Sequence, residues 1–419
     1  MLVSRSAQAV VLACSRSVLR PADTVSLQRA LEGGIGRDQL LHAAGEHAIV
    51  YFVSKHFETA AALISPPLLT ISSAVRTGLV EAVRQQSFRA LALLAQQSRL
   101  AGALDHANIP AVWLKGLALA EQLYRRFEAR DCVDLDLLVD ERDLGRVGGA
   151  LAELGFRRSA EPDSHPVSAH HQVWLSGAEQ PGAVMVEVHH RLAGPTACQP
   201  PAARIIERSR IVSIQGRPFR VPAVEDELFI LGLHAHQHHY GMLRCLMDVA
   251  EYVTRYGPKI DWERLWRDAR TYRCQGRLAA ALWVADQVLG GVGAGLTRQA
   301  WGALNRVQQW AARAAARPEA LFDRAAESHG RRVRLGLLMD RWTDVVRLLG
   351  PNVFPPGEYV RTVCPEPWRR WPGVPHLWYL GRIAAKLCGG RQSGAIGEST
   401  GRTPTVEPPA PSRSSTSPA

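Results

Sequence analysis

Residues 112–140 read VWLKGLALAEQLYRRFEARDCVDLDLLVD, and this stretch decides the architecture. Its last nine residues, CVDLDLLVD, alternate as a strand does: Asp134, Asp136 and Asp140 share one face, while Val133, Leu135, Leu137 and Val139 point to a core. Asp134 and Asp136 are then two strand rises apart, roughly 6–7 Å, on a face predicted to be exposed. Two carboxylates at this spacing can share or bridge hard divalent cations, the arrangement that clamps an in-line displacement at phosphorus. Acidic pairs also end strands without binding anything, so the neighbouring residues decide. Upstream, AVWL predicts a strand ending at Lys115-Gly116, and Leu117 to Phe127 predicts a helix. Glycine at that junction lets backbone approach a phosphate, and a helix N-terminus offers free N–H groups to an anion. Arg130 either adds charge for a triphosphate or pairs with the acidic face.

Working outward, IPAVWLKG, CVDLDLLVD and VMVEVHH are short apolar runs that alternate with the helical pattern RDLGRVGGALAELGF, which predicts an α/β unit. In VMVEVHH, Val184, Val186 and Val188 fall on one face and Met185, Glu187 and His189 on the other. Glu187 is therefore a third carboxylate, either facing a metal or lying on an edge strand in water. SRIVSIQGRPFRVP predicts two short strands turning at Gln215-Gly216. Residues 25–105, and those from Pro222 to about Leu349, carry helical periodicity. From Gly389 onward Gly, Pro, Ser and Thr make up 20 of 31 residues, too little apolar surface to order a segment.

These residues resemble the nucleotidyltransferase superfamily with a DNA polymerase β-like palm, and within it a bacterial branch of nucleotidyltransferase family proteins. The matching elements are Lys115-Gly116 before an apolar helix, Arg130 ahead of Asp134-Leu135-Asp136-Leu137-Leu138-Val139, and Val186-Glu187-Val188-His189. The resemblance continues in residues 224–228, His234 and residues 246–250, and more faintly in residues 354–361. The resemblance implies an α+β fold in which a small mixed-sheet palm is flanked by N- and C-terminal helical regions. The expected division is a helical region 1–105, a palm core 106–221, a helical domain 222–388 and a disordered tail 389–419. It also implies transfer of a nucleoside monophosphate from an NTP to an acceptor that could be a small molecule, peptide, protein or RNA end. Asp134, Asp136 and Glu187 would be catalytic and hold two Mg²⁺ ions, or Mn²⁺, while Lys115, Gly116 and Arg130 would face the phosphates. Gly116-Leu117 departs from the superfamily's usual Gly-Ser or Gly-Gly, the spacing from glycine to the first aspartate is long, and Glu187 stands where Asp is common. These departures keep a second function open, a nucleotide-binding regulator without turnover.

The chain has 419 residues and a formal charge of +11. Only four of its 50 basic residues are lysines, so a third reading is nucleic-acid binding through an arginine-rich surface. No stretch has the length and apolarity of a membrane span. Arg5 with Ala7 to Cys14 reads as the start of a helix rather than an export signal. The seven scattered cysteines, without a CxxC pair, suit a reducing cytoplasm. His234 and His238 in HAHQHHYG are spaced i, i+4, as zinc ligands can be, but no His-Asp dipeptide marks a phosphohydrolase. The expected arrangement pairs His234 with Asp248 and leaves His236 and His239 in solvent. Trp368, Trp371 and Trp378, amid Arg369, Arg370, Arg382 and Lys386, are expected to close the helical core with the arginines outside.

Overall fold

A computed structural model of the chain describes residues 3–32, 34–63, 72–159, 170–177, 183–194, 198–322, 336–353, 357, 360–361, 364–366, 368–371 and 373–388. The fold is α+β. Five strands, β1 (Ala111–Trp113), β2 (Asp134–Val139), β3 (Phe156–Arg158), β4 (His171–Ser176) and β5 (Met185–His189), form one sheet in the order β1-β2-β5-β4-β3. β2 and β5 run parallel, and every other neighbouring pair is antiparallel. β3 and β4 go beyond the three apolar runs seen in the sequence, because HQVWLS carries polar residues that hide its strand character. A separate hairpin pairs β6 (Arg210–Ile214) with β7 (Arg217–Val221). Gln215 and Gly216 both take positive φ at its turn, as a two-residue primed turn requires.

Helices cover both faces of the sheet. The N-terminal part supplies α1 (Arg5–Cys14), α2 (Pro21–Glu32), α3 (Arg37–Glu46), α4 (Val50–Leu63) and the long α5 (Ser73–His106). Within the sheet region lie α6 (Gly116–Tyr124), α7 (Leu144–Glu153) and α8 (Ala202–Arg208). After them come α9 (Val224–Gln237), α10 (Leu243–Tyr256), α11 (Trp262–Thr271) and α12 (Gln275–Leu289), with further helices beyond.

The strand alternation is resolved by two cores. Leu135, Leu137 and Val139 of β2, with Val186 and Val188 of β5, join Leu93, Leu100 and Leu104 of α5 and Val147 and Leu151 of α7 in one buried cluster. Each such side chain stabilises the fold by about 1.5–3 kcal/mol. On the opposite face Leu138 joins a second cluster built from α1, α4, α6, α9, α10 and α12. That cover corrects the expectation of an exposed acidic face: Asp136 is only 8% exposed. The helices after Pro222 and those before residue 64 share this second core, so the two helical parts meet on the acidic side of the sheet.

One buried ion pair ties the sheet to that cover. Arg130, just before β2, places its Nε 3.0 Å from Oδ2 of Asp248 on α10, and the Tyr124 hydroxyl donates to Oδ1 of Asp248 at 3.2 Å. Arg130 is 4% exposed and Asp248 is fully buried. Charges this deep are held only when paired and hydrogen-bonded.

At the C-terminal end, Trp368 and Trp371 are 52% and 66% exposed, which corrects the expectation that they close the helical core. They stand in and beside a short 3-10 turn, Trp368–Arg370, which has no buried residue. The side chains of Arg382 and Lys386, most of residues 354–361, and the tail from Gly389 lie outside the described residues. Among the described residues no helix is long and apolar enough to cross a membrane.

Asp248→Ala should destabilise the protein by about 3–5 kcal/mol in denaturant unfolding, because it strands the Arg130 charge. Replacing both partners, Arg130→Met with Asp248→Leu, should lose clearly less. Equal losses from the single and the double replacement would show that packing, not the stranded charge, sets the effect.

Candidate active site

The site begins at the turn that follows β1. Lys115 has φ +45° and ψ −125°, and Gly116 has φ +50°. Two successive positive φ values reverse the chain sharply into α6, and for a lysine that conformation is strained by about 1–3 kcal/mol. Two contacts hold it. The next amide before it, Leu114 N–H, donates to the Asp136 carbonyl at 3.0 Å, and the Lys115 backbone N–H bonds to the Glu227 carboxyl of α9. The Lys115 ammonium then folds back over the sheet, 3.2 Å from Oδ2 of Asp136.

The parallel register of β2 and β5 sets Asp136 beside Glu187 and Leu138 beside His189. Side chains in register on parallel strands point the same way, so the two carboxylates share a face. His189 Nε2 reaches back to Oδ1 of Asp136 at 2.9 Å and Oε2 of Glu187 at 3.3 Å. His171 on β4 approaches Oε2 of Glu187 at 3.9 Å. Asp134 lies one alternation earlier on β2, half-buried.

Charge is concentrated and compensated here. Burial, then the neighbouring charges of Asp136 and Glu187, push the Asp134 carboxyl up to about 6. Burial works in the same direction on Asp136, but the Lys115 ammonium and the His189 hydrogen bond hold it well below the usual carboxylate range. For Glu187, too, the His189 hydrogen bond outweighs burial, and its carboxyl is lowered. Burial opposes charge on His189, yet its bonds to Asp136 and Glu187 raise it to about 9. A lysine ammonium and an imidazolium thus offset part of the charge of the three clustered carboxylates at neutral pH.

The donor set suits a hard divalent cation. Asp136 and Glu187 each offer a carboxylate oxygen, both within 4.8 Å of His189, which as an imidazolium donates to them rather than ligating, and Asp134 adds a carboxylate outside that group. Carboxylate oxygens are the donors that Mg²⁺ and Mn²⁺ take.

Of the residues singled out in the sequence, Lys115, Asp134, Asp136 and Glu187 come together, and Gly116 starts α6 beside them. Arg130 does not join them. It turns into the interior toward Asp248, away from both roles expected of it. Asp140 accepts a bond from the Arg142 amide at 3.1 Å and caps the next turn. His234 does not pair with Asp248 but brings Nδ1 to 3.4 Å from the Lys115 ammonium. His236 is buried and His239 half-buried, where solvent exposure was expected. Three residues were not foreseen in any role at the site: His189, His171 and Glu227. For His189 the signal was present in the alternation of VMVEVHH, which puts it on the Glu187 face.

With this geometry in place, the comparisons with known proteins bear on the chain. The family model described as uncharacterised nucleotidyltransferase matches residues 34–290, well over half of the chain, and the chain belongs to that family. Membership supports nucleotidyl transfer in general terms, and the matched region contains every residue of the site. A search of curated proteins found no match. Among solved structures, the solution structure of the antibiotic-resistance factor ANT(2'')-Ia is similar over 44% of this chain and 93% of that one, with 17% identity and a TM-score of 0.32. At that score the likeness says nothing of substrate.

Glu227 provides a test of how the turn is held. Burial pushes its carboxyl up from an ordinary 4.5 to about 7, against the lowering effect of Arg210 and Arg130. Because the folded state holds this proton more tightly than the unfolded chain, its contribution to stability is full below pH 4.5 and is lost as pH rises through about 7. Glu227→Gln keeps an acceptor for the Lys115 amide and removes the titration. Chemical denaturation from pH 4.5 to 7.5 should show a shallower fall in stability for Glu227→Gln, and identical slopes would contradict the assignment.

Proposed function

We propose that the chain transfers a nucleoside monophosphate from an NTP to an acceptor nucleophile and releases pyrophosphate. The observation that carries this reading is the register that sets Asp136 beside Glu187, with Asp134 on the same face and the Lys115-Gly116 turn at its edge. Asp134, Asp136 and Glu187 would hold Mg²⁺, as two ions, or Mn²⁺. Bound there, the metal would neutralise phosphate oxygens and stabilise the charge of an in-line displacement.

The chain's own residues supply the remaining steps. Lys115 exchanges its contact with Asp136 for a phosphate oxygen, while the first amides of α6 face the same anion. Glu187, held ionised by His189, accepts the proton of the acceptor hydroxyl or other nucleophile. The acceptor's bond to the α-phosphorus forms as the bond to pyrophosphate breaks. Asp134, whose carboxyl is pushed up to about 6 by burial and then by the charges of Asp136 and Glu187, gains from a cation. Arg130 serves this chemistry at a distance, by fixing the entry to β2 through Asp248.

Calorimetric titration with each of the four NTPs, with and without Mg²⁺, should show metal-dependent binding of at least one. Asp134→Asn with Asp136→Asn should abolish it while thermal unfolding remains cooperative. NTP binding that ignores both metal and the aspartates would overturn the site. Metal-dependent binding without transfer to any acceptor would instead favour the regulatory binder.

A further inference from the structure

Near Lys115, two groups are left with hydrogen-bonding capacity that the fold does not use. Arg244, at the start of α10, is half-buried. Its Nη1 donates to the Asp131 carbonyl at 2.8 Å and its Nη2 lies 3.6 Å from the Met242 sulfur. Its Nε is buried with no hydrogen-bond partner, and no carboxylate among the described residues forms an ion pair with it. A guanidinium taken out of water without a counter-charge is costly. Arg130 and Arg208 both have acidic partners, whereas the buried Arg277, like Arg244, forms no ion pair among the described residues.

His234 adds a second unused donor. Its Nδ1 faces the Lys115 ammonium at 3.4 Å, and an ammonium can only donate. Nδ1 therefore accepts, and the proton of the neutral ring sits on Nε2. That Nε2 is buried and has no partner. Burial, then the charges of Lys115 and His238, keeps the ring well below the ordinary histidine range, in keeping with a neutral ring. His238 packs edge-on against it at 4.5 Å and is exposed, so the group opens to solvent.

The unused groups are donors, two of the surrounding side chains are cations, and Arg244 is close enough to lower the Asp134 carboxyl. We propose that Arg244 and His234, with Lys115 beside His234, form an oxyanion-binding subsite for a phosphate group of the substrate. The proposal rests on the nucleotidyl-transfer reading and extends it to α9 and α10. The phosphate belongs either to the leaving pyrophosphate of the NTP or to a phosphorylated acceptor. A metal is the competing occupant, because His234, His238 and Cys245 offer ligand atoms within 4.8 Å of one another, a set that suits zinc. Against it stand the proton on His234 Nε2, the adjacent Lys115 and Arg244 charges, and a Cys245 thiol that burial pushes up.

The test is calorimetric titration of the full chain with inorganic pyrophosphate in the presence of a chelator. Pyrophosphate should bind the wild type, and Arg244→Gln should weaken it by about tenfold or more, as expected for loss of a charge-assisted bond. Arg244→Lys should retain part of the affinity, which separates a lost charge from a damaged fold. Asp134→Asn with Asp136→Asn should bind pyrophosphate at least as tightly as the wild type, because negative charge is removed nearby. With Mg²⁺ in place of the chelator, competition between pyrophosphate and an NTP places the phosphate on the nucleotide, and simultaneous binding places it on the acceptor; either outcome supports the subsite. Pyrophosphate binding that Arg244→Gln leaves unchanged, no pyrophosphate binding at all, or zinc uptake abolished by Cys245→Ser would overturn it. The aspartates are not needed for this measurement, so the subsite and the metal-dependent NTP site can fail separately.

Discussion

Residues in register on neighbouring parallel strands stand side by side and point the same way, and between β2 and β5 that register joins Asp136 to Glu187. The other faces of these strands hold Leu135, Leu137, Val186 and Val188 in a core against α5 and α7. A slip of one residue would send the acids into that core and the aliphatic side chains onto the site. The apolar packing that stabilises the sheet therefore also keeps the carboxylates together on the opposite face.

Gathering carboxylates under a helical cover needs positive charge nearby, and it comes from three directions. Lys115 arrives from a turn that would suit glycine better, held by the Glu227 carboxyl on α9. His189 comes from β5 itself and bridges Asp136 and Glu187. Arg244 comes from α10 and stays without an acidic partner among the described residues. The first two are engaged by the acids, whereas Arg244 and His234 keep donors in reserve. This division separates the face that would hold a cation from the face that would take an anion.

Much of the site was legible in the sequence because alternation is a local property. CVDLDLLVD and VMVEVHH each show which residues share a face, and both readings match the sheet except at Val133, which was assigned to the core but lies just before β2 and is 46% exposed. What those runs could not show is what covers the face, since that depends in large part on helices far along the chain, α1, α9, α10 and α12 among them. Asp136 was therefore expected in water and is buried. The same distance hid the Arg130–Asp248 pair, whose members are 118 residues apart, and the contact of His234 with Lys115 rather than Asp248. β4 was missed for another reason: in HQVWLS only Trp174 is buried, and one apolar anchor makes no pattern. Trp368 and Trp371 were assigned to a core by residue type alone, and the structure leaves both exposed.

The central claim is that Asp136 and the carboxylates around it gather a divalent cation in the presence of nucleotide. Mn²⁺ titration followed by electron paramagnetic resonance, with an NTP present, measures this directly. The account predicts a protein-bound Mn²⁺ signal in the wild type that Asp136→Asn abolishes while the variant stays folded. Undiminished Mn²⁺ binding in that variant would contradict it.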